Sequence, residues 1–235
     1  MPNNQQNFRN SDRLTQWTTW ILYGQAVISI ISIAFNFLEY QSIMDFKNGV
    51  YPSQELALAA IDASDSRQHY IAFFELASYI ISAIFVLKWI HRANHNARQL
   101  GAECMAFTPG WAVGWYFIPI LNIWKPYQAM KEIWKASSNP QSWNSQSVRV
   151  SLLLPLWWGL WIISNVFGNI SFRMGVNAKT LNEFIDSNIA RQFSEITFIP
   201  LCIVLSVIIR KIYEMQISHL DSDPARRSDE IQQNQ

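Results

Sequence analysis

The chain has 235 residues, half of them apolar, with 11 Trp, 8 Tyr and 14 Phe, and only 15% charged, against about a quarter in an average soluble domain. Its net charge of +1 gives no basis for nucleic-acid binding. Cys104 and Cys202 stand 98 residues apart, with neither metal nor redox spacing, which argues against a disulfide framework.

Mean hydropathy is close to zero, so composition alone does not demand a membrane. Distribution does, because the apolar residues come in long blocks between polar stretches. A bilayer core about 30 Å thick takes about 20 helical residues to cross. Residues 1–16 read as a polar tail, its first 13 too poor in apolar residues to order. Trp17–Leu38 is the first block, without a charge between Arg13 and Glu39. It is longer than the apolar region of a cleaved signal peptide and no A-x-A-like site follows, so it reads as a retained helix. The connection 39–69 is acidic, and its Ala-rich stretch from Ser53 to Ala63 predicts a short surface helix. Tyr70–Ile90 is the second block and carries one acid, Glu75.

Trp111–Trp124 is apolar but only 14 residues long, which suits a re-entrant or interfacial segment better than a span. Thr108 and Pro109 predict its helical start, a hydroxyl cap followed by Pro at the first helical position. Pro119 then removes a backbone donor and breaks the helix. Gly110 and Gly114 loosen it further. Pro126 opens a second, amphipathic helix over 126–136, with Tyr127, Met130, Ile133 and Trp134 on one face. The third block, residues 150–172, is uncharged between Arg149 and Arg173, and the fourth, residues 193–211, ends on Arg210 and Lys211. Residues 219–235 read as a disordered tail. In lipid every backbone N–H and C=O must pair within its own segment, so the blocks should be α-helical. The expected fold is all-α and integral to a membrane: one helical domain over 17–218 with four spans plus the Pro-broken segment.

Loop charge orients this layout, since cytoplasmic loops carry the excess Lys and Arg. If 111–124 turns back, the inner side holds 13 of the 18 basic residues; if it crosses, the split is 8 inside and 10 outside. The first arrangement is expected, with both termini cytoplasmic.

Lipid tails do not drive helices together, so packing of small residues and interhelical polar contacts must. Gln25, Ser29, Ser32 and Asn36 share one face of the first helix. Glu75, Ser78 and Ser82 share one face of the second. Ser164 and Gly168, with Asn165 and Asn169 alongside, mark the third. These stripes should face inward. Trp17, Trp20, Trp89, Trp111, Trp124, Trp157 and Trp158 fall near segment ends or in the broken segment, as interfacial belt residues do.

The stretches HRANHNARQLGA (91–102) and FTPGWAVGWYFIPILNIWKPYQAMKEIWKAS (107–137), with Leu156-Trp157-Trp158 and VIIRKIYEMQ (207–216), resemble a bacterial multi-pass membrane family described only as a domain of unknown function. The resemblance implies a multi-helix fold in the bacterial cytoplasmic (inner) membrane. It brings no catalytic residues to carry over.

Three readings of function follow. Arg92, Arg98, Lys125, Lys131 and Lys135 beside Trp124, Tyr127 and Trp134 suit anionic headgroups, or serve only to set topology. This favours a non-enzymatic protein acting through lipid or protein contacts at its inner face, with membrane lipids, a protein partner or a second copy as partners and no cofactor. Alternatively, Glu75, Asn165, Asn169 and the Pro119 break line a polar path in a small transporter or channel. An ionisable group in a span invites that hypothesis, although at roughly 8 Å from the helix end Glu75 could simply reach water. Lastly, His91 and His95 stand at i, i+4 as a zinc pair requires. A third ligand would have to come from Glu103, Cys104 or elsewhere, and a plain solvated helix explains the spacing as well.

Overall fold

The computed structural model describes residues 7–146 and 148–222, and these contain six α-helices and no strand. They are α1 (Asp12–Lys47), α2 (Gln54–Gln99), α3 (Pro109–Gly114), α4 (Lys125–Ser138), α5 (Leu153–Asn177) and α6 (Leu181–Asp221). Within α1, α2 from Ser66, α5 and α6, four segments are long and apolar enough to cross a membrane. The chain is an all-α membrane protein.

The long helices overrun the predicted spans at most of their ends, because polar residues with good caps continue the backbone hydrogen bonds beyond the apolar blocks. α1 already begins at Asp12, inside the stretch read as a tail, and Asn10 Oδ1 accepts from the Asp12 N–H at 2.8 Å. The Ala-rich stretch is not a separate surface helix. It forms the first turns of α2, started by Ser53, whose hydroxyl accepts from Leu56 N. α6 starts on a capping box: Thr180 Oγ1 accepts from Glu183 N, and Glu183 Oε2 accepts in return from Thr180 N. α6 runs on to Asp221, past the start of the predicted C-terminal tail, the remainder of which lies outside the described residues. α1 and α2 both stop at a glycine in the left-handed region, Gly49 (φ 66°) and Gly101 (φ 104°). The closing bonds Val50 N to Asp45 O and Ala102 N to Ala97 O satisfy the last carbonyls, as such glycine-ended helices do.

The packing gathers into two compact units, each taking part of every long helix. The first comprises the described residues of Met1–Trp20, Ala83–Leu156 and Leu205–Gln235, and the second Ile21–Ser82 and Trp157–Val204. The α1–α2 and α5–α6 turns belong to the second unit. The long α2–α5 connection, with the whole broken segment, belongs to the first.

In the second unit the predicted α1 stripe is buried: Gln25, Ser29, Ser32 and Asn36 are each at most 5% exposed. The same alternating spacing runs back through Leu22 to Thr18, Thr15 and Ser11, all buried, so along this seam α1 buries polar side chains while Val27, Ile30 and Ile31 face outward. α5 and α6 pack antiparallel on small residues. Ser171 and Ser187 each donate to the other's carbonyl at 3.0 Å, and Ser194 Oγ donates to Ser164 O at 3.1 Å. A methyl group on Gly175 would meet Ser187 Oγ at 3.0 Å, whereas one on the exposed Gly24 would meet nothing within 4 Å. Overpacking costs about 2 kcal/mol, so Gly175→Leu should lower the melting temperature by roughly 4–8 °C. Gly24→Leu should not, and a melt of the two purified variants checks the difference.

The tryptophan belt is only partly exposed. Trp17, Trp20, Trp111 and Trp124 present their rings outward, but Trp89, Trp157 and Trp158 are buried. Position near a helix end failed to separate the two groups, because Trp89 is held inside by a bond from its Nε1 to Thr15 Oγ1 at 3.0 Å, and Trp158 stacks on Trp161 at 4.5 Å.

Candidate functional site

In the first unit, α2 ends in the motif at 91–102, where Ala93, Asn94, Asn96 and Ala97 are almost fully buried. Asn96 makes a two-way pair with the Arg9 backbone, accepting at 3.1 Å and donating at 2.9 Å. Asn94 donates to Phe107 O at 3.0 Å and accepts from Arg98 Nε, and Arg98 Nη2 donates to Met105 O and Phe107 O, both at 2.9 Å. From α4, the buried Glu132 accepts from the backbone N–H groups of Ala106 and Phe107 at 2.5 and 3.1 Å. Burial pushes its carboxyl above the ordinary carboxylate range, against the opposing pull of those two N–H donors and Arg98. From α6, Gln216 Nε2 reaches Ala93 O and Ser137 Oγ at 2.9 and 2.8 Å. The loop 102–108 is thus clamped from both sides by carboxylate, guanidinium and amide.

The expected break lies between α3 and α4. Thr108 caps Trp111 N at 3.3 Å, with Pro109 at the first helical position. Beyond Pro119, Leu121 N bonds Pro119 O at 2.8 Å across Ile120, whose φ of 70° and ψ of −53° make a three-residue γ-turn rarely adopted because it is strained. Phe117, Ile120 and Ile123 present apolar side chains outward here. α4 follows with Pro126 in its first turn. Met130, Ile133 and Trp134 of its predicted face are buried and Tyr127 half-buried, while Glu132 is buried beside them.

The basic residues of this region therefore do mostly internal work. Arg98 is committed to the clamp, and Arg92 Nη1 donates to Asn10 O at 3.1 Å. Lys125 Nζ lies over the Phe107 and Trp115 rings at 5.7 and 5.6 Å. Lys131 remains exposed, Lys135 is half-buried, and the Trp124 ring is 40% exposed. His91 is exposed and His95 Nε2 lies 3.1 Å from Asn7 O. Among the described residues no three His, Cys, Asp or Glu side chains are grouped to hold a metal, so the zinc pair lacks its third ligand there.

The second unit holds the other candidate. A groove of about 490 Å³ is lined by Glu75 and Tyr79 of α2, Asn165 and Asn169 of α5, and Ser194 and Glu195 of α6, with Gln25 of α1. Glu75 Oε2 pairs with Arg191 Nη2 at 2.7 Å, and Arg191 also reaches Gln68 Oε1 at 3.4 Å. The second carboxylate oxygen, Glu75 Oε1, is buried without a hydrogen-bond partner. Glu195 lies within electrostatic reach of Glu75 and Arg191. Ser82 Oγ donates to Gln25 Oε1 at 3.2 Å. Asn169 is exposed rather than interior, and Asn165 and Asn169 bond back to carbonyls of α5 instead of crossing to another helix. The fully buried Asn36 has no partner for its side-chain amide, although its backbone oxygen accepts from Asn188 Nδ2 at 3.1 Å. A second cavity, about 440 Å³ between α1 and α2, is lined chiefly by Ile28, Ile31, Phe35, Ile71 and Phe74, with Arg67 at its wall.

The sequence pointed to Glu75 but not to Arg191 or Glu195, which lie 116 and 120 positions away. A usable signal existed: at i, i+4, Arg191 and Glu195 share one face of α6, at the edge of its apolar block. The burial of Glu132 had no sequence signature.

The family model described as "Domain of unknown function (DUF4328)" matches residues 53–214, over two thirds of the chain. The chain belongs to that family. No curated protein and no solved structure matches it. The DUF4328 match covers α2 and reaches well into α6, taking in both the clamp and the Glu75–Arg191–Glu195 groove, whereas α1 lies outside it.

Proposed function

We propose that this DUF4328 protein is a small transporter or channel of the bacterial cytoplasmic membrane, its solute site being the groove around Glu75, Arg191 and Glu195. The carrying observation is the groove itself, lined by two carboxylates with a guanidinium beside them on helices apolar enough to span a bilayer. Ionisable groups cost several kcal/mol at membrane depth and are retained chiefly where they line a pathway or pair. The first unit is the scaffold in this reading: its clamped loop and strained turn hold 111–124 as a re-entrant or interfacial segment. That the broken segment, its flanking loops, the start of α1 and the end of α6 fall in one compact unit supports a segment that leaves on the side it entered, with four crossings and both termini cytoplasmic.

Flux tests the reading. Purified protein in liposomes should carry at least one member of a broad ion and solute panel, and the double variant Glu75→Gln/Arg191→Gln, which keeps the groove's hydrogen-bonding groups without the charge pair, should lose tenfold or more of that rate. No flux across the panel would remove the reading. Cysteines placed at Lys131 and at residue 225, in a background lacking Cys104, should resist impermeant reagents on intact cells.

A second reading keeps the inner face as a lipid contact. It draws support from Phe117, Ile120 and Ile123, each at least half exposed at the break beside Trp111 and Trp124. Co-purification of anionic lipid that falls with Lys131→Glu would favour it.

A further inference from the structure

We infer that the groove binds one compact monopositive centre, an alkali-metal ion or the ammonium of a primary amine, between Glu75, Glu195 and the amide oxygens of Asn165 and Asn169. The inference rests on the preceding reading for the groove being a solute site and deepens it by naming what the site takes.

Hydrogen bonding shows which oxygens the groove offers. Asn165 Nδ2 donates to Trp161 O at 2.7 Å and Asn169 Nδ2 to Asn165 O at 2.9 Å, which leaves each amide its oxygen and one N–H. The Ser194 hydroxyl donates to Ser164 O. The acceptors of the walls are both amide oxygens and the oxygens of two carboxylates, and the carboxylates would repel an anion.

Charge points the same way. Two carboxylates face one guanidinium, an excess of one negative charge, and the guanidinium takes only one oxygen of Glu75. The other, Glu75 Oε1, is buried and unpartnered, and a buried charged acceptor without a partner is expensive. Ser29, 1% exposed, lies against Glu195 from α1. A single positive charge would offset the excess and occupy both acids.

The ligand count sets the valence. Divalent calcium takes six to eight oxygens, carboxylates prominent among them, and no third acid joins these two among the described residues. Two carboxylates, one already half-committed to Arg191, balance one positive charge and not two. A groove of about 490 Å³ leaves room for a short amine chain or several of an ion's own waters.

The test uses the full chain in nanodiscs, melted in sodium, potassium, methylammonium or choline chloride at one ionic strength. Melting temperature should rise saturably with sodium or potassium if the occupant is an alkali ion, or with methylammonium if it is an amine, and should stay flat with the bulky choline. Glu195→Gln should shift the half-saturating concentration upward at least tenfold. Should that variant fail to fold, Asn165→Leu should weaken the same response. Identical melts in all four salts, a response to choline equal to the others, or a response kept in both variants would overturn the inference. Flux without a cation-specific melt would sink this site and spare the transport reading, whereas saturable stabilisation without flux would do the reverse.

Discussion

Arg191→Met should lower the melting temperature of the detergent-solubilised chain by roughly 10 °C, and adding Glu75→Leu to it should restore most of the loss. The two side chains meet at 2.7 Å and are 26% and 18% exposed, so water screens them little. Removing the guanidinium leaves Glu75 with both oxygens unpaired and its charge uncompensated. Breaking a buried pair from one side costs about 3–5 kcal/mol, while replacing both members by apolar residues is often neutral. At 2–4 °C per kcal/mol for a chain of this size, the single variant stands out and the double variant does not. Glu75→Leu alone should cost less, because Arg191 keeps Gln68 and lies within reach of Glu195. Three melts decide it, and a double variant less stable than Arg191→Met would show that the pair stabilises beyond charge compensation.

Glu132→Ala should cost about 3 kcal/mol, since hydrogen bonds to charged groups contribute about 1.5–3 kcal/mol each and Ala106 and Phe107 would both lose their acceptor. The melting temperature should fall by roughly 6–12 °C. Glu132 also gives stability a defined slope with pH. Burial raises its carboxyl above the ordinary value, so the folded chain holds the proton more tightly than the unfolded one. Stability contributed by Glu132 is therefore greatest at or below the ordinary carboxylate value and declines as pH rises through the raised one. Glu132→Gln should flatten that decline. Melts of the parent and Glu132→Gln across the acidic range check the sign, and a parent that instead gains stability through this window would show the N–H donors and Arg98 outweighing burial.

Local patterns were legible where local physics rules. The 3–4 spacing of Gln25, Ser29, Ser32 and Asn36 marked the buried seam of α1, and Ser11, Thr15 and Thr18 extend it in the same register. Ser11 and Thr15 went unread because they precede the apolar block and looked like tail, and Thr18 is the second residue of that block. Thr108, Pro109, Pro119 and Pro126 marked the break because caps and proline act on their own backbone, yet no residue pattern marked the γ-turn at Ile120. Ser164 and Gly168 signalled close packing, and the structure extends it to Ser171 and Gly175.

By itself the sequence determined the membrane class, the four apolar spans, the polar seam and the broken segment, since each depends on residues within a few turns of one another. The tertiary structure alone decided that Arg98 and Glu132 clamp one loop, that Arg191 and Glu195 join Glu75, and that Trp89 is buried while Trp17 is not. Those outcomes depend on groups brought together from distant positions, and whether a charge meets a partner or water is settled only when helices pack.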